Sequence, residues 1–290
     1  MGKSRPKWKM IKTYYRLTKP GIIYGNAINI VAGFFLASRS GIDWLLLAST
    51  LVGLSLIIAC ASVINNYIDR DIDAHMERTK NRAMVVGDVS DKNALIFAAV
   101  LGVGGVVVLA VFTNWLALAI AILGVLLYAG LYTCIKRYSH FATEVGSIAG
   151  AIPPLVGYVS VTGVVDLGGI ILFLILMLWQ MPHFFAISIY RRDEYAAAKV
   201  PVLSITHGVA RAKIHILLYT IAFILAVFAL PYYGFVGPLY VLIMAVVCAV
   251  WLLLALKGFF ATDNKKWARQ MFFFSLIVVL LLCAALILQR

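Results

Sequence analysis

The chain has 290 residues, of which 63% are hydrophobic and 13% are charged, and its mean hydropathy is +0.97. A soluble domain of this length has too little interior to hide so much apolar surface, which excludes an ordinary soluble enzyme. The formal net charge of +13 does not indicate nucleic acid, because the basic residues fall in connections between apolar runs. The composition therefore predicts an integral membrane protein with no nucleic-acid partner.

Apolar stretches of about 20 residues recur along the whole chain, long enough to cross a bilayer as helices. We predict an all-α polytopic membrane protein in which residues 1–290 form a single transmembrane domain. The nine predicted spans cover residues 21–38, 43–64, 93–112, 115–133, 143–161, 168–190, 212–232, 236–256 and 268–288.

The distribution of Lys and Arg predicts the orientation of the spans. On this topology 23 of the 25 basic residues lie on one face, and only Arg39 and Arg290 lie on the other. The positive-inside rule then places the N-terminus in the cytoplasm and the C-terminus outside. Residues 1–20 are a basic cytoplasmic tail, and the long connections 65–92 and 191–211 form a cytoplasmic cap. The tail lacks the apolar core of a signal peptide and is short for a transit peptide, which favours a bacterial cytoplasmic (inner) membrane.

The stretch NNYIDRDID (65–73) places two amides and three carboxylates where the second span leaves the bilayer. If the helix continues, Asn65, Asp69 and Asp73 are spaced i, i+4 and i+8, and Asn66 shares their face. Carboxylate and amide oxygens suit magnesium, which commonly bridges to substrate phosphates. The following ERTKNR supplies positive charge for phosphate oxygens from Arg78, Lys80 and Arg82. The alternative is a solvated loop of mixed charge.

NNYIDRDID resembles the first aspartate-rich motif of the UbiA superfamily of intramembrane prenyltransferases, with Asn66 where many members have Asp. The resemblance extends to TKPGIIYGNAINIVAGF (18–34), KRYSHFATEVGSIAGAIPPLVGYVSVTG (136–163) and WQMPHFFAISIYRRDEYAAAKVPVL (179–203). It implies nine helices around a central cavity under a cytoplasmic cap. It also implies that the first motif binds magnesium and the diphosphate of an isoprenoid substrate.

The longer motifs resemble the members of this superfamily that act on heme. The implied reaction transfers farnesyl from farnesyl diphosphate to a vinyl group of heme B, giving heme O, with heme A synthase or cytochrome oxidase assembly downstream. The implied catalytic residues are Asn66, Asp69, Asp73 and His183, and the implied diphosphate ligands are Arg78, Lys80, Arg82, Lys136, Arg137 and Arg192. An aromatic acid or quinone precursor as acceptor, and a secondary transporter, are the alternatives. The acids cluster at one interface rather than at the midplane, which disfavours transport.

The second long connection carries RRDEYAAAKVP, where the superfamily usually has a second acidic pair. Only Asp193 or Glu194 is available there, because the expected second acid falls in an alanine run. We expect these two residues to join the metal set of Asn65, Asn66, Asp69 and Asp73, with a solvated helix start as the alternative.

His183 lies about seven residues inside the cytoplasmic end of the sixth predicted span, directly after Pro182. A polar ring at this depth is a candidate for a functional site, and the resemblance implies contact with heme. Asn26 and Asn29 in the first span are expected to line the same cavity. The alternatives are a hydrogen-bonded core histidine and helix–helix hydrogen bonds.

Overall fold

The computed structural model describes residues 7–39 and 41–288, and every regular element within these ranges is helical. Residues 1–6 of the predicted tail and Arg290 therefore lie outside the described residues. The helices are α1 (Lys7–Leu17), α2 (Pro20–Ala37), α3 (Trp44–Ile68), α4 (Arg70–Ala74), α5 (Asp91–Phe112), α6 (Trp115–Ile135), α7 (Ala142–Thr162), α8 (Leu167–Tyr190), α9 (Arg192–Ala197), α10 (Leu203–Thr206), α11 (Gly208–Tyr232), α12 (Pro238–Lys257) and α13 (Asn264–Leu288).

Nine of the helices in the described part of the chain are long and apolar enough to span a membrane, which confirms the predicted fold class. They are α2, α3, α5, α6, α7, α8, α11, α12 and α13. Three spans differ most from the predicted bounds. α3 continues to Ile68, α11 begins at Gly208 and α13 begins at Asn264, because polar residues can extend a helix beyond the bilayer.

Side-chain caps begin the spanning helices α3, α6 and α8. Asp43 accepts a hydrogen bond from Leu46 N at 2.9 Å, and Asp166 accepts one from Gly169 N at 3.1 Å. Asn114 caps α6 in the same way. Capping satisfies backbone donors that the first helical turn leaves free. Asp43 and Asp166, the two acids that the predicted topology places outside, therefore have a structural role as helix caps.

Small residues allow α2 and α7 to cross closely in the middle of the bundle. A methyl group at Gly33 would collide with the Pro154 carbonyl, and one at Gly157 would collide with the Ile30 carbonyl. Such close backbone approach is a common basis of helix association in membranes. This crossing holds the C-terminal half of α2 against α7.

A second, smaller apolar cluster lies under the cytoplasmic cap, apart from the main core. Its buried members are Leu17, Cys60, Val63, Met84, Val89, Ala94 and Ala98, contributed by α1, α3, α5 and the loop between α4 and α5. Tyr14 and Phe97 pack against it edge to face, with ring centroids 5.0 Å apart. The cluster holds α1 and the first cap loop against the end of α3.

Candidate active site

The first acidic motif is buried in the folded protein. Asn65, Asn66, Asp69 and Asp73 each expose only 3–5% of their surface. α3 carries the two asparagines in its last turn, Asp69 follows it with helical φ, and α4 carries Asp73. The structure thus brings the four predicted side chains together, and the solvated-loop alternative fails for them.

The two asparagines are held by residues from separate parts of the chain. Asn65 donates to Thr133 Oγ1 at 3.0 Å and accepts from Lys19 Nζ. Asn66 donates to the Leu17 carbonyl at 2.8 Å. Both amides are therefore oriented, and the side-chain oxygen of Asn66 remains without a hydrogen-bond partner.

Lys19 was not predicted as a site residue, although it occupies the turn between α1 and α2. Its backbone is left-handed (φ 53°, ψ 66°), a conformation that costs energy for a non-glycine residue and often marks functional positions. Burial, together with the nearby Arg82, lowers the pKa of Lys19 to about 7, and Asp69 opposes this change. In the sequence, Lys19 cannot be distinguished from the other basic residues that precede a span, which is why it was not predicted.

Asp69 forms an ion pair with Lys136, the residue that directly follows α6. Burial lowers the pKa of Lys136, and the adjacent Asp69 partly offsets that effect. The Lys136 ammonium also lies over the Tyr132 ring, 5.5 Å from its centroid. This residue, predicted as a diphosphate ligand, therefore reaches the acidic motif directly.

A wide helical turn in α6 sets the position of Thr133 and Lys136. Residues Leu126–Tyr132 form π-helical turns, and Thr133 Oγ1 donates to the Tyr128 carbonyl at 2.7 Å. Such π-segments are rare and occur frequently at functional sites. No sequence signal indicated the π-segment or the role of Thr133.

Asp73 forms the second buried ion pair of the site, with Arg82 at 2.5 Å. The Asp73 carbonyl also accepts a hydrogen bond from the buried Thr79 at 2.9 Å. Together with Lys19 and Lys136, Arg82 makes three cationic side chains around two buried carboxylates. An excess of positive groups in a partly dehydrated site favours binding of a further anion.

The oxygens of the motif fit a magnesium ion. One oxygen of Asp69 and the side-chain oxygen of Asn66 are buried without a hydrogen-bond partner, which is costly unless another ligand is bound. Within the described ranges no group of three or more His, Cys, Asp or Glu side chains is arranged to hold a metal. Magnesium keeps several waters and shares substrate phosphates, so two carboxylates and amide oxygens are an adequate set.

Two other predicted diphosphate ligands, Arg137 after α6 and Lys80 in the first loop, form ion pairs with Asp71 and Glu77 instead of Asp69 and Asp73. Arg137 makes a bidentate pair with Asp71 at 2.6 and 2.7 Å, and this pairing lowers the pKa of Asp71 to about 2. Arg137 also donates to the Ile68 carbonyl at 2.6 Å, where α3 ends. Lys80 pairs with the exposed Glu77 at 2.7 Å. In this arrangement Arg137 braces the end of α3.

The second loop does not extend its acids to the motif in this structure. The side chain of Asp193 is 90% exposed and lies 3.4 Å from Lys265, while Glu194 pairs with Arg191 at 2.6 Å. Arg192 is exposed. Tyr195 does approach the first loop: burial raises the pKa of its hydroxyl, and Arg78 and Arg191 oppose that rise. The metal roles of Asp193 and Glu194 stay predictions.

His183 lies among aromatic rings between α8 and α13. Its Nδ1 is 2.7 Å from Ser275 Oγ, and that hydroxyl donates to the Phe272 carbonyl at 2.6 Å. Because a hydroxyl has one proton, Nδ1 is the donor in this arrangement and Nε2 keeps its lone pair. The ring stacks on Trp179 and lies 4.8 Å from the Phe272 ring. No sequence signal indicated Ser275.

The two asparagines of α2 have different partners. Asn26 donates to the Ile22 carbonyl of its own helix at 2.9 Å. Asn29 accepts from Cys283 Sγ of α13 at 3.2 Å, a helix–helix hydrogen bond of the kind considered as the alternative. The expected role of Asn26 in lining a heme cavity stays a prediction.

Comparison with known proteins places the chain among prenyltransferases. It is 48% identical over 264 residues to the protoheme IX farnesyltransferases of Yersinia pseudotuberculosis and Photorhabdus laumondii, covering 91% of this chain and 90% of each relative. Its fold matches a solved digeranylgeranylglyceryl phosphate synthase with a TM-score of 0.81 at 21% identity, covering 97% of this chain and 98% of that one. It also matches a UbiA homologue of Archaeoglobus fulgidus bound to DMAPP and Mg²⁺, with a TM-score of 0.71 at 13% identity, covering 95% and 99%. The model of the UbiA prenyltransferase family matches residues 26–277, and the chain belongs to this family.

Proposed function

We propose that this protein transfers the farnesyl group of farnesyl diphosphate to a vinyl group of heme B, with addition of water, giving heme O and diphosphate. The observation that carries the proposal is the cluster of three half-buried cations, Lys19, Arg82 and Lys136, around the buried Asp69 and Asp73. The names of relatives that are 48% identical over most of the chain support this donor and acceptor.

Lys19, Lys136 and Arg82 bind the diphosphate of the donor. An incoming diphosphate supplies negative charge that keeps Lys19 and Lys136 protonated, although burial alone lowers the pKa of both. As the allylic C–O bond breaks, its electron pair passes to the diphosphate oxygen, and the three cations stabilise that charge. Asn65, Asn66, Asp69 and Asp73 would hold magnesium, which would supply further positive charge for the leaving diphosphate.

The acceptor half of the reaction needs a dry, apolar site. The vinyl π-electrons attack the allylic carbon, a new C–C bond forms, and a positive charge is left next to the porphyrin ring. Water then adds to that carbon and loses a proton. His183 meets the requirements for accepting the proton or contacting the heme, because its Nε2 keeps a lone pair and aromatic rings exclude water around it.

The whole chain acts as one domain in a bacterial cytoplasmic membrane, with its N-terminus in the cytoplasm and its C-terminus outside. The distribution of basic residues supports this orientation. The site then faces the compartment that supplies a water-soluble diphosphate head, while the farnesyl chain stays in lipid. The heme O product passes to heme A synthase or to cytochrome oxidase assembly.

The test uses the full chain in proteoliposomes with heme B, farnesyl diphosphate and magnesium, followed by mass spectrometry of the extracted hemes. We expect a hydroxyethylfarnesyl heme that disappears with a chelator and with Asp69→Asn. Glu77→Gln is the matched control, since Glu77 lies in the same loop and its side chain is 79% exposed.

Three results contradict the proposal in different ways. Heme O formation by Asp69→Asn at the wild-type rate contradicts the metal site. Release of diphosphate with unchanged heme B indicates another acceptor, such as an aromatic acid or a quinone precursor. Passage of substrate across the membrane without cleavage of the diphosphate ester indicates a transporter.

A further inference from the structure

The helix α1 presents three different faces along its 11 residues. Successive residues of a helix are about 100° apart, so residues spaced by three and four share a face. Tyr14 and Leu17 pack into the apolar cluster under the cap. A second face exposes Trp8, Ile11 and Tyr15, whose exposed fractions are 61%, 71% and 50%.

The third face of α1 is basic and lies beside the exposed apolar one. It carries Lys9, Lys12 and Arg16, all exposed, and the first acid of the sequence is Asp43. Among the described residues no carboxylate forms an ion pair with any of the three. A helix with an exposed apolar face flanked by unpaired cations fits the surface of a bilayer that contains anionic lipids.

The position of α1 agrees with a place at the cytoplasmic surface. The helix precedes the first span and turns sharply at Lys19, so that the Tyr15 and Tyr24 hydroxyls lie 2.5 Å apart. Tyrosines and tryptophans favour this depth because one end of each ring is apolar and the other polar. The basic face therefore lies at the level of the lipid headgroups.

The C-terminal end of α1 is also in contact with the candidate metal site. The Leu17 carbonyl accepts from Asn66, and Lys19, two residues on, donates to Asn65. Any force that fixes α1 on the membrane surface also fixes these two partners. A loss of that force loosens the contacts of Leu17 with Asn66 and of Lys19 with Asn65.

We propose that α1 binds anionic phospholipid headgroups through Lys9, Lys12 and Arg16, and that this binding holds Asn65 and Asn66 in place for the metal. The partner is the anionic lipid surface of the protein's own membrane. The effect on Asn65 and Asn66 rests on the proposed metal site, whereas the binding of lipid by α1 does not depend on it.

The test compares the wild type with the triple variant Lys9→Gln, Lys12→Gln and Arg16→Gln in bilayer nanodiscs. One set of nanodiscs contains phosphatidylcholine alone, and the other also contains phosphatidylglycerol. The control variant is Lys92→Gln, Lys257→Gln and Lys266→Gln, which removes the same charge from other exposed positions on the cytoplasmic side. One readout is the phosphatidylglycerol retained per protein after transfer to neutral detergent, measured by mass spectrometry. The other is Mn²⁺ affinity, measured by electron paramagnetic resonance.

Each basic side chain near an anionic surface contributes a factor of about five in binding, so the triple variant should bind phosphatidylglycerol roughly 100-fold more weakly. We expect the wild type and the control to bind Mn²⁺ more tightly with phosphatidylglycerol present, and the triple variant to lose that difference. Equal retention of phosphatidylglycerol by all three proteins overturns the lipid-binding proposal. Reduced retention with unchanged Mn²⁺ affinity overturns the coupling to the asparagines. Neither lipid retention nor Mn²⁺ affinity requires turnover. A failure of the proposed reaction can therefore be distinguished from a failure of this proposal.

Discussion

The two long loops, residues 65–92 and 191–211, follow the second and sixth spans and look alike in sequence, but they differ in the folded protein. In the first loop Asp69 and Asp73 are buried and paired with Lys136 and Arg82. In the second, the side chain of Asp193 is 90% exposed and lies 3.4 Å from Lys265. Buried ion pairs are costly to assemble and costly to break, whereas exposed ones contribute little. Similar acidic patterns at equivalent positions in the two loops can therefore differ in burial and in ion pairing.

The largest expected effect is on the rate of diphosphate release, and it comes from substitutions in the first loop. The same kind of substitution in the second loop should have little effect. Asp69→Asn or Asp73→Asn should lower the rate of diphosphate release at least about 1,000-fold, because metal ligation contributes several kcal/mol to the transition state. Asp193→Asn should change the rate less than about threefold, since an exposed carboxylate is strongly screened. Steady-state rates of the three variants decide the matter. A 1,000-fold lower rate in Asp193→Asn would show that the acids of the two loops are equally important for the reaction.

The ion pairs themselves should differ in their contribution to stability. Lys136→Gln leaves the buried Asp69 without its counter-charge and should lower the free energy of unfolding by about 3–5 kcal/mol. Lys265→Gln should change it by less than about 1 kcal/mol. Thermal unfolding in detergent measures both, and added magnesium should restore part of the loss in Lys136→Gln. Equal midpoints for the two variants contradict the comparison.

The arginines of the two loops should differ in how much they contribute to binding of farnesyl diphosphate. Arg82→Gln removes a charged hydrogen-bond donor from the buried site and should raise the KM for farnesyl diphosphate roughly 10- to 100-fold. Arg192→Gln should raise it less than about twofold, because Arg192 is exposed. Initial rates over a range of farnesyl diphosphate concentrations test the pair. A large effect of Arg192→Gln would indicate that the second loop closes over bound substrate.

The smallest effect concerns a residue that orients a ligand without touching the metal. Thr133→Val keeps the shape of the side chain but removes the acceptor for Asn65, 3.0 Å away. Loss of one buried hydrogen bond should weaken Mn²⁺ binding by a factor of about five. Thr133→Ser keeps the hydroxyl and is the control, and unchanged binding in Thr133→Val would exclude the orienting role.

The sequence predicted the features that depend on local pattern. The length of the apolar runs predicted nine spans, and the spacing of Asn65, Asp69 and Asp73 predicted a shared helical face. The short helix α1 was missed because its residues are too basic and too few to resemble a span. Lys19 and Thr133 were missed because their partners lie 46 and 68 residues away, which no local pattern indicates. The separation of Asp193 from the motif likewise depends on how two loops pack, not on either loop alone.

The π-helical stretch of α6 makes the site sensitive to how many residues each turn of this helix holds. Each residue advances an α-helix by about 100°, and the wide turns of Leu126–Tyr132 take up about one residue more than α-helical turns of the same total rotation. If the same residues formed a regular α-helix, Thr133 and Lys136 would rotate away from Asn65 and Asp69, while the apolar length needed to cross the bilayer would hardly change. A substitution that favours regular α-helix in this stretch would therefore alter the active site of an otherwise intact membrane protein.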